Sequence, residues 1–449
     1  MFVVMQSSLV FILNPASLLI FSGMTSQYKY TYEGGAEDDL SPEVVTLSYN
    51  DLFGYSSTCS TEVQIRCEKA IRKAFGNRDS LGIICIVDVP KMSTRSYQKL
   101  RKTLLPLGNS LAINSNKGIL ADVVVPEAFY SVGWSHGKEK LSKNKYDLSK
   151  GSYYANPLVD DHAADDRIKQ NIRKYLSNSQ LKTAIVDDSS VKKFIEENAA
   201  YFASNVWPQD DSFKDLEPSF KSMGQFLHSV GIELAKLIDG YVRTVDPTYD
   251  NHIQKVLTTS SYSKGRLLHY FANTHKADLP IRIENTADRI DGWCGWHNDH
   301  GSLTALVPAI YLDSAGNEIQ CPDENTGLYI MSRNGVPTHI KMPGDSIGFQ
   351  VGETSQVHTG GIIRATPHCV RQCCDGVGEP VTRETFACFF EPEFDGDMRV
   401  HANSRTMYDI QSVEAIEALP KGVSSIKQRL VDGMNFGEFS EATIKQFNS

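Results

Sequence analysis

Apolar residues along this chain repeat with two periods, first that of a helix and later that of a strand. Residues 44–47 (VVTL) are a short apolar, β-branched run that suits a strand. Residues 60–74 place Val63, Ile65, Ala70, Ile71 and Ala74 on one amphipathic helical face, and Gly76 marks the stop. The unbroken β-rich run 81–89 (LGIICIVDV) predicts a buried strand, and 96–107 a further helix. The strongest pattern lies between Phe213 and Tyr241, where Leu216, Phe220, Met223, Leu227, Val230, Leu234, Leu237 and Tyr241 recur at three- and four-residue steps. That spacing predicts a long helix with one apolar face, bracing a neighbouring domain. Two stretches lack a period. Residues 131–141 with 150–158 crowd Trp, Tyr, His and Gly together and read as an ordered surface loop, and the polar segment 160–188 reads as an exposed insertion.

From about Tyr262 the chain changes to short β-rich runs separated by Gly, Pro, Asn and Asp: 266–271, 302–312, 328–331, 338–342, 346–351, 361–366 and 384–390. Many short strands with frequent turn signals predict an antiparallel sandwich or barrel. Beyond Pro392 the pattern is helical again through 410–419 and 424–434, ending at Phe447. The expected division is an N-terminal segment 1–43 that is flexible or dispensable, a helix-rich region 44–261, a β domain 262–394 and a C-terminal helical segment 395–449.

Composition narrows the function classes. Hydrophobic residues at 41% and charged residues at 22% describe an ordinary soluble globular chain. A formal net charge of −9 with no basic stripe argues against nucleic acid and against an anionic membrane surface as partners. Nine scattered cysteines do not form a disulfide framework and point to a reducing, cytoplasmic setting. The uncharged front end is broken by Asn14-Pro15, too short to be a good spanning helix, and lacks the basic n-region of a secretory signal. It reads as a dispensable extension, with Met24 as an alternative start, or as a targeting peptide.

The chemistry gathers around GWCGWHNDHGSLT, residues 292–304. In an extended strand, residues two apart share a face, so His297 and Asp299 would stand side by side. An imidazole and a carboxylate are two thirds of the 2-His-1-carboxylate triad that holds non-haem Fe(II) with open positions. Taken alone, a His-x-Asp step is a commonplace polar pair. Two later histidines could complete it: His358, before a Thr-Gly-Gly turn, and His368, which follows Ile362-Ile363 and enters Val370 and is favoured because a strand fixes a ligand better. Downstream, Arg383-x-Thr385 leads into FACFF; on a strand the planar guanidinium and the hydroxyl share a face and can take a carboxylate.

The stretches WHNDHGSLT, GDSIGFQVGETSQVHTGGIIRATPHCV and TRETFACFFEP together resemble the isopenicillin N synthase-like Fe(II)/2-oxoglutarate-dependent dioxygenases. The resemblance covers residues 262–394 and extends more faintly over the N-terminal half. It implies a mixed α/β (α+β) fold with a double-stranded β-helix core, jelly-roll or cupin-like, braced by N-terminal and C-terminal helices. It implies His297, Asp299 and His368 as iron ligands, Arg383 and Thr385 on the distal carboxylate of 2-oxoglutarate, and Tyr270 lining the same pocket. The cofactors implied are Fe(2+), 2-oxoglutarate and O2, and the partner a small-molecule substrate, hydroxylated with release of succinate and CO2. Departures are a long stretch between Asp299 and His368 with a loop at 314–326, Cys369 where Arg is common, a lengthened 371–381 link, and Thr385 for the commoner Ser. Alternatives are an oxidase of the same fold that does not use 2-oxoglutarate, a β-helix binding protein without catalysis, and zinc in the same ligands. Cys369, Cys373 and Cys374 read as ordinary thiols, and Trp134, His136, Trp293, Trp296, His300 and His358 are candidates for the substrate pocket.

Overall fold

The computed structural model describes residues 43–449 apart from 57, 78, 92–95, 116, 139, 143–144, 179–185, 273–291, 374–379, 411–418, 421 and 449. The readings for the N-terminal segment before residue 43, for a helix over 410–419 and for Cys374 therefore lie outside the described residues. In chain order the strands are β1 (Val45–Ser48), β2 (Ile83–Val87), β3 (Gly133–His136), β4 (Lys140–Ser142), β5 (Lys145–Tyr146), β6 (Lys150–Ala155), β7 (Ser263–Tyr270) and β8 (Cys294–His297). They continue with β9 (Leu303–Leu312), β10 (Glu318–Ile319), β11 (Gly327–Met331), β12 (Pro337–His339), β13 (Ile347–Val351), β14 (His368–Arg371) and β15 (Thr382–Phe390).

Eight of these wind into two antiparallel sheets, ordered β13-β9-β15-β7 and β12-β11-β14-β8. From β7 to β9 and from β13 to β15, successive core strands alternate between the sheets, which is the winding of a double-stranded β-helix. The inner faces meet in a cluster of Leu268, Tyr270, Trp293, Val370 and Ala387. The first sheet runs on at both edges: β2 and then β1 add beyond β13, and β6 and β3 beyond β7. Residues of the N-terminal half thus share hydrogen-bonded sheet with the β domain.

β15 shows how period two sorts the chemistry. Glu384, Phe386, Cys388 and Phe390 point outward under the helices, while Arg383, Thr385, Ala387 and Phe389 point into the barrel. The long helix forms over Leu216–Val245, and Leu216, Phe220, Met223, Leu227, Val230, Leu234 and Leu237 are all buried, as their spacing predicts. Phe220 meets Phe386 edge-on, with centroids 4.9 Å apart. A side chain at Gly265 would have its Cβ only 2.5 Å from the Phe220 ring, so glycine in β7 lets the helix lie on the sheet.

Several expectations need correction. The aperiodic stretches 131–141 and 150–158 are no surface loop: they supply β3 and β6, with Trp134 and Tyr153 buried. Apolar/polar alternation is weak there because parts of both strand faces are covered, and Gly151 leaves room for the Trp134 ring. The polar insertion holds a helix, Asp166–Asn178, that buries Ile168 and Ile172 and exposes its charged side. The helix starting near 96 runs through Pro106 to Asn114. Ile65, expected on an apolar face, is 58% exposed. Residues 361–366 are turns and bends rather than a strand, and they follow an unexpected helix, Glu353–His358. Residues 424–434 form only a 3₁₀ turn, Ile426–Gln428, with Gly433 left-handed at φ 84°; the terminal helix is Phe436–Asn448. The helix His252–Thr259 was not foreseen. Among the described residues, no helix is long and apolar enough to cross a membrane.

Candidate metal centre

His297 closes β8 and His368 opens β14, and the two stand directly opposite each other in the ladder. Their ring centroids are 4.2 Å apart. Asp299 lies two residues past the end of β8, so the expectation of one extended strand presenting both residues does not hold. The turn after His297 carries the carboxylate back toward the two rings instead. Asp299 Oδ1 is 3.8 Å from His297 Nε2 and 3.9 Å from His368 Nε2. One ligand atom from each residue lies within 4.8 Å of the others. That is too far for hydrogen bonds, and it groups the donors around one point.

The contacts behind these groups select their form. His297 Nδ1 lies 2.8 Å from the Gly295 carbonyl, and His368 Nδ1 2.8 Å from the Thr366 carbonyl. A carbonyl only accepts, so each Nδ1 carries a proton, and Nε2 is the atom that offers a lone pair whenever the ring is neutral. Asp299 Oδ2 accepts from Thr304 Oγ1 at 2.6 Å and from Gln350 Nε2 at 2.8 Å, which leaves Oδ1 facing the imidazoles. Burial opposes ionisation of Asp299, but His368, His297 and the two hydrogen bonds outweigh it and hold the carboxyl below its usual range. Burial, with His297 alongside, pushes His368 down to about 4. Gln350 Nε2 also lies 3.0 Å from His368 Nε2, where a cation would have to displace it.

The Asp299 turn is clamped from behind by the helix Glu353–His358. Glu353 N donates to Asp299 O at 2.8 Å, and Thr354 Oγ1 to His300 O at 2.6 Å. This close approach needs glycine before the helix, because a Cβ on Gly352 would fall 2.1 Å from Gly301 O and 3.0 Å from Asp299 O. Gly352→Ala should therefore displace the turn and weaken Fe(II) or Co(II) binding by about 10- to 100-fold, the range typical of lost outer-shell support. A metal titration showing unchanged affinity would exclude that clamp.

Arg383 sits inside the barrel at 6% exposure, paired in register with Tyr270. Its guanidinium carbon is 5.0 Å from the Tyr270 ring centroid, and Tyr311 stands opposite it in register on β9. Its Nε and Nη1 are buried with no hydrogen-bond partner among the described residues. Thr385 shares the inward face, but its hydroxyl donates to Val307 O at 2.6 Å rather than standing free for a carboxylate. The cause is a register shift between Glu384 and Phe386, where β9 carries Pro308 and Ala309 without ladder partners on β15. Their carbonyls accept instead from Arg101, at 3.0 and 3.1 Å.

The remaining candidates separate. Trp293 lies against Tyr270 with centroids 5.4 Å apart and donates Nε1–H to Phe271 O. Trp134 packs in the main core, and Trp296 joins Met331 and Cys369 in another cluster. His136 stacks on Phe271, and His300 contacts Ser440. His358 belongs to a different group altogether, with His252 and His401. Spacing did not single out Gln350, Tyr311 or Glu353; Thr304 closes the motif stretch itself, and its place two strand residues into β9 was the available signal.

Two imidazoles and a carboxylate grouped around one point, and a buried arginine with unpartnered nitrogens on another strand of the same double-stranded β-helix, define the class of site. No family model and no curated protein matches the chain. Among solved structures, a protein of Caulobacter crescentus assigned to the 2OG-Fe(II) oxygenase family aligns over 90% of this chain and 99% of its own, at 14% identity and TM-score 0.53. A full-length Neurospora crassa protein, solved in complex with alpha-KG and thymine, aligns over 90% and 97%, at 16% identity and TM-score 0.52. These likenesses establish a shared fold, that of the 2OG-Fe(II) oxygenases as a whole, and do not single out the isopenicillin N synthase-like branch.

Proposed function

We propose that the protein is a non-haem Fe(II)- and 2-oxoglutarate-dependent dioxygenase that hydroxylates a small organic molecule. The observation that carries this reading is Arg383: a buried guanidinium with two unpartnered nitrogens, inside the same β-helix whose strands carry His297 and His368 beside Asp299. A buried cation of this kind calls for an anion, and its planar fork matches the far carboxylate of a dicarboxylic acid. The donor set of two nitrogens and one oxygen suits Fe(II) and leaves coordination positions open. His297 and His368 would hold the ion through Nε2 and Asp299 through Oδ1.

When bound, iron supplies the means to split O2 between 2-oxoglutarate, which leaves as succinate and CO2, and the substrate. The chain's own residues position the reactants. Thr304 and Gln350 fix the rotation of the Asp299 carboxylate, and the Gly295 and Thr366 carbonyls fix the two imidazoles. Arg383 and Tyr270 set the depth to which the co-substrate enters. Leu268, Trp293, Val370 and Ala387 make the interior beside Tyr270 apolar and would exclude water from the reacting atoms.

Purified protein reconstituted anaerobically with Fe(II) is expected to bind 2-oxoglutarate, and on admitting O2 to release succinate, faster with a true substrate than without. Failure of the Fe(II) form to bind 2-oxoglutarate would overturn the proposal in favour of an oxidase whose Arg383 takes a substrate carboxylate. Retention of zinc with no affinity for Fe(II) would point to hydrolytic chemistry.

A further inference from the structure

His358 leads to a second constellation. It ends the helix Glu353–His358, and its ring lies 4.3 Å, centroid to centroid, from that of His252, the first residue of the helix His252–Thr259. His401, from the segment after the β domain, stacks on His252 at 3.4 Å and lies 5.3 Å from His358. Asp397 completes the group: its Oδ1 is 2.9 Å from His401 Nε2, and its carbonyl accepts from His358 Nε2 at 2.9 Å. One ligand atom from each of the four residues lies within 4.8 Å of the others.

Hydrogen bonding does not account for this packing. His358 is 1% exposed and His252 9%, yet Nδ1 of each is buried with no hydrogen-bond partner among the described residues. An unpaired buried polar atom costs about 1–3 kcal/mol, and here two occur side by side. Because His358 donates through Nε2 to a carbonyl, its Nδ1 carries a lone pair. Protonation would relieve neither ring, since three imidazoles this close repel one another once charged. A divalent cation satisfies the orphaned nitrogens together. Asp250 stands just outside, 3.8 Å from His252 Nδ1 and 3.7 Å from His401 Nδ1, where it favours positive charge.

We propose that His252, His358, Asp397 and His401 bind a zinc-class divalent transition-metal ion in a structural role. Three imidazole nitrogens and a carboxylate oxygen are a complete tetrahedral set for zinc, with no position left for a substrate. The donors come from three separate segments, so the ion would fasten the chain after the β domain to the helix behind the Asp299 turn. This inference does not depend on the proposed oxygenase activity.

The test uses the full chain carrying His297→Ala and Asp299→Ala, which removes the first cluster. After chelation and exposure to zinc it should retain one equivalent per chain, against two metal equivalents for the wild type. Co(II) in its place should give the intense visible absorption of tetrahedral coordination. Adding His358→Ala or Asp397→Asn should weaken binding at least about 10-fold. Asp397 is exposed, so the second variant serves if the first does not fold. Less than one equivalent retained, or unchanged affinity in the Asp397→Asn and His358→Ala proteins, would overturn the site and leave the oxygenase proposal untouched.

Discussion

Arg383→Ala should weaken 2-oxoglutarate binding by at least about 30-fold, the equivalent of about 2 kcal/mol for truncating one partner of a buried, hydrogen-bonded charge pair. The affinity for the metal should stay as it was, because Arg383 does not belong to the His297/Asp299/His368 cluster. Stability of the ligand-free protein should fall only by the lost packing on Tyr270, since Nε and Nη1 have no hydrogen-bond partner among the described residues to lose. Arg383→Lys keeps the charge without the fork and should fall between the two. A metal titration, a titration of 2-oxoglutarate against Fe(II)- or Co(II)-loaded protein, and a urea unfolding curve read all three. Equal affinity for 2-oxoglutarate in the alanine variant would mean that another group holds the carboxylate.

The second large effect concerns stability. Glu353 is 1% exposed, and Arg429 grips it with both terminal nitrogens, at 2.8 and 2.6 Å. Arg429 also donates to Thr443 Oγ1 and to Ser424 O, so the terminal helix and the segment before it converge on the guanidinium that holds Glu353. Arg429→Met should lower the unfolding free energy by about 3–5 kcal/mol, because it strands a buried negative charge. Replacing both, as Glu353→Leu with Arg429→Met, should recover most of that loss. The double variant should still bind iron if the Glu353 backbone, rather than its side chain, is what holds Asp299. A loss under about 1 kcal/mol for the single variant would show that Glu353 reaches water or another partner.

Local pattern made the bracing helix legible: the seven residues from Leu216 to Leu237 that repeat at helical spacing are all buried. β15 was legible for the same reason, with its alternation visible in TRETFACFF. His297, Asp299 and His368, singled out by residue type and order, lie in one cluster. What stayed hidden depends on pairing between distant segments. Gln350 supports Asp299 from 51 positions away, and Glu353 meets Arg429 across 76. No local period records either contact. β3 and β6 were hidden because partly covered strands full of aromatics and glycine do not alternate cleanly. The turn that carries Asp299 past the end of β8 is likewise fixed by Gly352 and Glu353 behind it, not by the His-x-Asp step.

The position of β15 has a consequence for biosynthesis. It lies between β7 and β9, both made long before it, so the first sheet has a gap at its centre until residues 382–390 emerge. Until then β7 and β9 each present an unpaired inner edge, the kind of surface that recruits strands from other chains. The same late strand brings Arg383, and the ribosome has by then already released all three residues of the metal cluster. The metal cluster is therefore synthesised before Arg383, and closing the barrel requires contacts far apart in sequence, which slows folding. Protection of those two edges during synthesis, more than any single packing contact, should set the yield of soluble protein.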